Sequence, residues 1–192
     1  MNQLFPIFVK LDQIQTLLVG GGKVALEKFQ ALITNDERLK LTVVAREIVP
    51  EFERLLVNYP HVRFHIRPFE TNDVENKQLV IAATNNMELN DELRELTSLH
   101  NILFNAADKP DLCDFYLGSI VTKGNLKVAI STNGKSPTIA KRVKELLNDL
   151  LPAEIDETLS LMSEYREQLK GDFEFKVKKL NEHTKNILRH ER

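Results

Sequence analysis

Three consecutive glycines, Gly20, Gly21 and Gly22, stand between the apolar run QTLLV at residues 15–19 and a stretch of helical periodicity. That position constrains the fold more than any other feature of the chain. The segment matches G-x-G-x-x-A through Gly20, Gly22 and Ala25, in the strand–turn–helix context the motif requires. Gly20 permits the tight turn, Gly22 lets the backbone approach a pyrophosphate, and Ala25 lets the helix pack close to the sheet. The N–H groups at the start of that helix, around Lys23 and Val24, are then free to meet phosphates. A bare turn is the alternative, and the βα units downstream weigh against it.

After the turn, Val24, Ala25, Phe29, Leu32 and Ile33 recur near helical spacing. LTVVA at 41–45 predicts a second strand, residues 49–57 a helix, 61–66 a third strand and LVIAAT at 79–84 a fourth. A helix over 87–99 carries Leu89, Leu93 and Leu96 on one side, and NILFNA at 101–106 predicts a fifth strand. Apolar strands alternating with helices imply an α/β fold, a Rossmann-type parallel sheet covered on both faces.

The alternation stops after Asp108. Residues 116–121 and 126–130 predict an antiparallel hairpin turning at Lys123, Gly124 and Asn125. Ser136 and Pro137 open a helix that Pro152 ends. The charged remainder predicts two helices broken at Gly171, with Leu159, Met162, Tyr165 and Leu169 on one apolar face. The expected division is a dinucleotide-binding domain at 1–113, a small α+β segment at 114–151 and a helical region at 152–192.

Composition narrows the function classes. With 42% hydrophobic residues among 192, the chain supports a core. A formal net charge of −2 and no basic stripe argue against nucleic acid or an anionic membrane as partner. No apolar run approaches the roughly 18 residues of a membrane span, and no secretory leader is evident. Cys113 is the single cysteine, which fits a reducing cytoplasm. Between Asp111 and Asp114 it is expected to be a small core residue. Those two aspartates are expected to be solvated charges, not metal ligands.

The second predicted strand ends at Val44, Ala45, Arg46 and Glu47. Glu47 is placed to accept from the ribose hydroxyls of NAD, although a position or two late; Arg46 suits a 2′-phosphate or the adenine face. Both also fit as solvated charges opening the next helix. Thr84 and Asn85 end the fourth strand and Asn105 to Asp108 end the fifth, so both groups are expected at the cleft. A second polar loop, STNGKSP at 131–137, opens a helix. Thr132, Lys135 and Ser136 there are candidates to grip carboxylates, with an N-cap by Ser136 as the plainer role.

Six segments together resemble the precorrin-2 dehydrogenase family, which includes the N-terminal part of sirohaem synthases. They are PIFVKL at 6–11, LLVGGGKVALEK at 17–28, LTVVA at 41–45, VIAATNNMELN at 80–90, NAADKPDLCDF at 105–115 and VAISTNGKSPTIAKRVKELL at 128–147. The first two fit many Rossmann proteins; the last two are far more specific. The resemblance implies a homodimer whose middle segment, 114–151, makes the dimer contacts. It implies NAD as cofactor and a tetrapyrrole polycarboxylate as substrate, for which Asn105, Thr132, Lys135 and Ser136 are the candidate binding residues. It also implies that Asp108, in the motif Asn105-Ala106-Ala107-Asp108, is the catalytic acid-base residue.

The reaction so implied is oxidation of precorrin-2 to sirohydrochlorin, with a hydride leaving to the nicotinamide and a proton taken by a base such as Asp108. From spacing alone, Asp108 equally starts a turn before Lys109 and Pro110. Some family members also insert ferrous iron. His61, His65, His100, His183 and His190 show no ligand spacing, and the sequence leaves that second activity open. The chain is expected to lack the methyltransferase half of fused sirohaem synthases. Two other readings stand beside this one: a non-catalytic module that senses NAD(H), and another small-molecule oxidoreductase on the same fold.

Overall fold

The computed structural model describes residues 4–107 and 109–185, so Asp108 and His190 lie outside the described residues. The chain divides between Leu117 and Gly118 into two compact units.

The first unit is a five-stranded parallel sheet in the order β3-β2-β1-β4-β5. Its strands are β1 Gln15–Val19, β2 Lys40–Ala45, β3 Arg63–Ile66, β4 Leu79–Ala82 and β5 Leu103–Ala106. Helices α1 Lys23–Asn35, α2 Pro50–Leu56 and α3 Met87–Leu99 connect them. The central strands are buried on both faces, so they appear in sequence as unbroken apolar runs. Leu18, Val43 and Ile81 point to one face and meet Ala25, Phe29, Leu32 and Ile33 of α1 and Phe52 of α2. Leu17, Val19, Val44, Val80, Ala82 and Phe104 point to the other and meet Leu93 of α3. Phe29 and Phe52 pack with ring centroids 4.9 Å apart, an aromatic contact that locks α1 to α2.

Three predicted strands are shorter than their apolar runs. β3 starts at Arg63 because residues 59–62 form a turn, with Val62 N–H donating to Tyr59 O at 3.0 Å. His61 is therefore outside the strand that holds His65. β5 starts at Leu103 because Asn101 takes φ +55° as the chain leaves α3. β4 stops at Ala82, and the next two residues turn to meet α3.

The second unit opens with the antiparallel hairpin β6 Ser119–Lys123 and β7 Leu126–Ile130. Lys123 pairs with Leu126, so the loop is Gly124 and Asn125 alone, with Gly124 at φ +56°. Helix α4 Pro137–Leu150 packs on this hairpin and buries Ala140, and α5 Ile155–Gln168 and α6 Phe173–Thr184 follow. Gly171, at φ +135°, separates the last two helices as predicted. Asp156 in the first turn of α5 accepts from the backbone N–H of Asn125 at 2.6 Å and from its side chain at 2.9 Å. Tyr165 and His183 join α5 to α6 with a 3.0 Å hydrogen bond. Of the predicted apolar face on α5, Leu159 is exposed while Met162 and Tyr165 are half-buried, and Leu169 lies just past the helix end. No described helix is long and apolar enough to cross a membrane.

Candidate functional site

Strand order reverses at β1. The chain leaves β1 towards β2 on one side, and β4 lies on the other, so a crevice opens beyond the carboxyl ends of β1 and β4. The glycine turn sits there. Gly20 has φ +130°, and a Cβ on it would overlap the carbonyl oxygen of Ala83 at the end of β4. A Cβ on Gly21 would overlap the carbonyl oxygen of Glu47 and come within 2.9 Å of Ala45 Cβ. Gly22, by contrast, has open space where a Cβ would be. Two glycines thus let three pieces of backbone meet, and the third leaves room over the helix start.

Among the described residues, that helix start carries no competing anion. Gly22 is the N-cap and has no side chain to offer, and the first turn of α1 holds no acidic residue. Its N–H groups therefore remain available to an external acceptor. Lys23 is exposed there and Val24 half-buried, while Ala25 is fully buried against the sheet. A pyrophosphate fits this arrangement: open space at Gly22, unclaimed N–H groups and a favourable helix dipole.

Arg46 and Glu47 are both exposed in the bend after β2. Val49 N–H donates to Gly21 O at 2.9 Å and ties this bend to the glycine turn. The structure therefore brings Arg46 and Glu47 beside Gly20 to Gly22. Sequence reasoning assigned Gly21 no role, although its contact with Glu47 is what makes the junction.

Past β4, Thr84 is half-buried and Asn85 exposed. Thr84 Oγ1 donates to Asn90 Oδ1 at 2.9 Å, Asn90 Nδ2 donates to Thr84 O at 3.3 Å, and Asn86 N–H donates to Thr84 Oγ1 at 3.2 Å. Asn90 is 3% exposed and was missed by sequence reasoning. A signal existed: Asn90, Leu93 and Thr97 form the buried stripe of α3, so a polar residue sits on a face that should be apolar.

At β5, Asn105 is buried, and its Nδ2 donates to Phe115 O at 2.8 Å. Its Oδ1 has no partner among the described residues. Cys113 is half-buried; Ala106 N–H donates to its Sγ at 3.3 Å, and the thiol lies 3.2 Å from Ala106 O. Burial pushes this thiol up, against the hydrogen bond from Ala106. Asp114 is exposed, as the sequence suggested, but it is also paired. It accepts from Arg94 at 2.7 Å and from Phe104 N–H at 3.0 Å, fastening α3 to β5. The Asp114 hydrogen bond raises the Arg94 guanidinium further above its ordinary value.

In the second unit, Thr132, Lys135 and Ser136 come together in the loop between β7 and α4. Thr132 Oγ1 donates to Ser136 O at 3.0 Å, and Ser136 N–H donates back to Thr132 Oγ1 at 3.2 Å. Ser136 Oγ accepts from Ile139 N–H at 3.2 Å, the predicted N-cap. Lys135 is exposed, and Gly134 before it, at φ +73°, has open space around it.

Comparison with known proteins agrees with both units. A family model described as "Putative NAD(P)-binding" matches residues 7–119, and one described as "Sirohaem biosynthesis protein central" matches residues 123–150. The sirohaem synthase of Vesicomyosocius okutanii is 36% identical over 173 residues, which are 90% of this chain and 36% of that protein. The sirohaem synthase of Pseudoalteromonas translucida is 36% identical over 171 residues, 89% of this chain and 36% of its own length. The chain thus spans about a third of the length of these curated relatives. Among solved structures, SirC, a precorrin-2 dehydrogenase, superposes with a TM-score of 0.71 at 22% identity, covering 93% of this chain and 88% of that one. At that identity the likeness bears on the fold.

Proposed function

The chain belongs to the NAD(P)-binding family whose model it matches over residues 7–119, and from that membership we propose that it is an NAD-dependent dehydrogenase converting precorrin-2 to sirohydrochlorin. The observation that carries the reading is the pairing, in one chain, of this NAD(P)-binding unit with a following segment like the centre of sirohaem biosynthesis proteins. The similarity to sirohaem synthases supports the same substrate class.

In this reading Gly20, Gly22, Lys23 and Val24 hold the pyrophosphate, with Arg46 and Glu47 at the adenosine ribose and Thr84 and Asn85 along the crevice. The absence of any acidic residue in the first turn of α1 favours that pyrophosphate. Bound NAD supplies the hydride acceptor. Asp108 takes the proton that leaves the macrocycle, a role a carboxylate performs best when partly desolvated. Exposed Lys135 and the Ser136 hydroxyl serve the substrate's carboxylates. The Thr132 proton is taken by Ser136 O and the buried Asn105 Nδ2 by Phe115 O, so these two predicted residues shape the site without donating to a carboxylate. The division into a domain at 1–113, a dimerisation segment at 114–151 and a helical region at 152–192 belongs to this proposal, as does a cytoplasmic location.

We also propose a homodimer. Ile139, Val143, Leu146 and Leu150 are 55%, 36%, 62% and 46% exposed and recur along α4 at the spacing of one helical stripe. A second copy presenting the same stripe would bury both, as a two-fold interface requires.

The test is anaerobic turnover of precorrin-2 with NAD, following NADH and the macrocycle spectrum, and then addition of ferrous iron. NADH formed together with a sirohydrochlorin spectrum supports the dehydrogenase, and accelerated iron insertion adds a chelatase. No reduced cofactor with either NAD or NADP overturns the proposal.

A further inference from the structure

We infer that Asn90 is a positioning residue that fixes the Thr84 hydroxyl as a hydrogen-bond acceptor towards the bound dinucleotide. The inference rests on the proposed placement of that dinucleotide over β1 and β4.

Asn90 reaches Thr84 from below. It is 3% exposed on α3 and does not itself face the crevice surface. Its amide orientation follows from two contacts. The group beside Thr84 O, at 3.3 Å, must be the donating Nδ2, because a carbonyl only accepts. Oδ1 then faces Thr84 Oγ1 at 2.9 Å, and since Oδ1 also only accepts, the Thr84 proton lies between them, with Asn86 O a second and longer acceptor at 3.3 Å. The hydroxyl's single proton is spent inward. One lone pair receives Asn86 N–H at 3.2 Å. What remains for a ligand is one lone pair, so the partner must be a donor: a ribose hydroxyl or a carboxamide N–H.

The location supports this use. Thr84 follows Ala83, whose carbonyl is the atom that excludes a side chain at Gly20. The glycine turn and the Thr84 loop therefore share the crevice edge. A threonine needed only to end β4 would not require a buried asparagine to set its proton, and burying that amide is costly unless both its ends are satisfied.

The test is a double-mutant cycle on NADH binding, by fluorescence titration of the full chain, with Thr84→Val, Thr84→Ser and Asn90→Ala. Loss of one hydrogen bond predicts that Thr84→Val weakens binding roughly three- to tenfold. Thr84→Ser stays near wild type. Asn90→Ala weakens binding less than Thr84→Val or to a similar degree, and the double variant is no weaker than Thr84→Val alone. In turnover, KM for NAD rises while kcat and the KM for precorrin-2 hold. Wild-type affinity in Thr84→Val, or additive losses in the double variant, overturns the inference. If Asn90→Ala does not fold, the valine–serine contrast at Thr84 still decides. A wild-type chain that binds no NADH overturns the proposed function itself, and this inference with it.

Discussion

The Cα of Gly20 faces the carbonyl oxygen of Ala83 across the β1–β4 boundary, so closely that a methyl group at Gly20 would overlap it. Gly21 stands in the same relation to Glu47, while Gly22 faces open space. The three glycines should therefore separate experimentally. Gly20→Ala and Gly21→Ala are expected to lower stability by roughly 2–3 kcal/mol through backbone strain and displacement. Gly22→Ala should stay within about 1 kcal/mol of wild type yet weaken NADH binding about tenfold, because it fills the pyrophosphate's space. Denaturant melts paired with NADH titrations read both quantities. Equal stability losses at all three positions would refute the division of labour.

Asp108→Ala should cut kcat by about 10²–10⁴, the usual worth of a positioned base, while NADH binding holds. Asp108→Asn keeps size and polarity but not basicity. If it turns over precorrin-2 at the wild-type rate, Asp108 orients substrate and does not accept the proton.

Arg67 and Asp73 form a two-pronged ion pair at 2.8 and 2.6 Å beyond β3. Burial pushes the Asp73 carboxyl up, but the Arg67 hydrogen bond and the Glu70 N–H outweigh it and hold the group below its ordinary value. A carboxylate depressed in the folded state stabilises above its unfolded value and loses that contribution as pH falls through the folded one. The Tm gap between wild type and Asp73→Asn should thus be widest near neutrality and close in acid. A gap that is flat from neutral pH into acid would show the ion pair to be inert.

Cys113 is half-buried with its thiol held among Ala106 and Lys109 backbone atoms, and burial raises it above the ordinary thiol value. Alkylation by iodoacetamide at neutral pH should run at least about tenfold slower in the native chain than in urea. Comparable rates would mean the loop opens freely.

The apolar stripe on α4 predicts that Leu146→Glu dissociates the proposed dimer, since a charge at its 62%-exposed centre cannot be buried unpaired. Sedimentation velocity reads the outcome: a monomer for the variant and a dimer for wild type. An unchanged dimer would move the interface elsewhere.

The sheet was legible because its strands are buried on both faces, which makes each an uninterrupted apolar run in sequence. The glycine turn was legible because Gly20 and Ala25 answer to local geometry. What stayed hidden depends on strand order. Gly21 meets Glu47 and Gly20 meets Ala83 only once β1 lies between β2 and β4. Arg94 and Asp114 find each other only because α3 and β5 pack together. Asn90 was hidden differently: it shares a buried helix face with Leu93 and Thr97, and a single amide there has no spacing pattern of its own.

The two hydrogen bonds from Asn125 to Asp156 close a ring of chain that runs from the hairpin tip, through the polar loop and α4, to the start of α5. The stretch resembling the centre of sirohaem biosynthesis proteins ends at residue 150, before this closing residue. An unbroken evolutionary module and a self-sufficient physical one therefore have different ends. Cut at Leu150, the piece would keep its family likeness but leave the tight turn's amide seeking water, and the clasp that makes a hairpin and a helix one body would be gone.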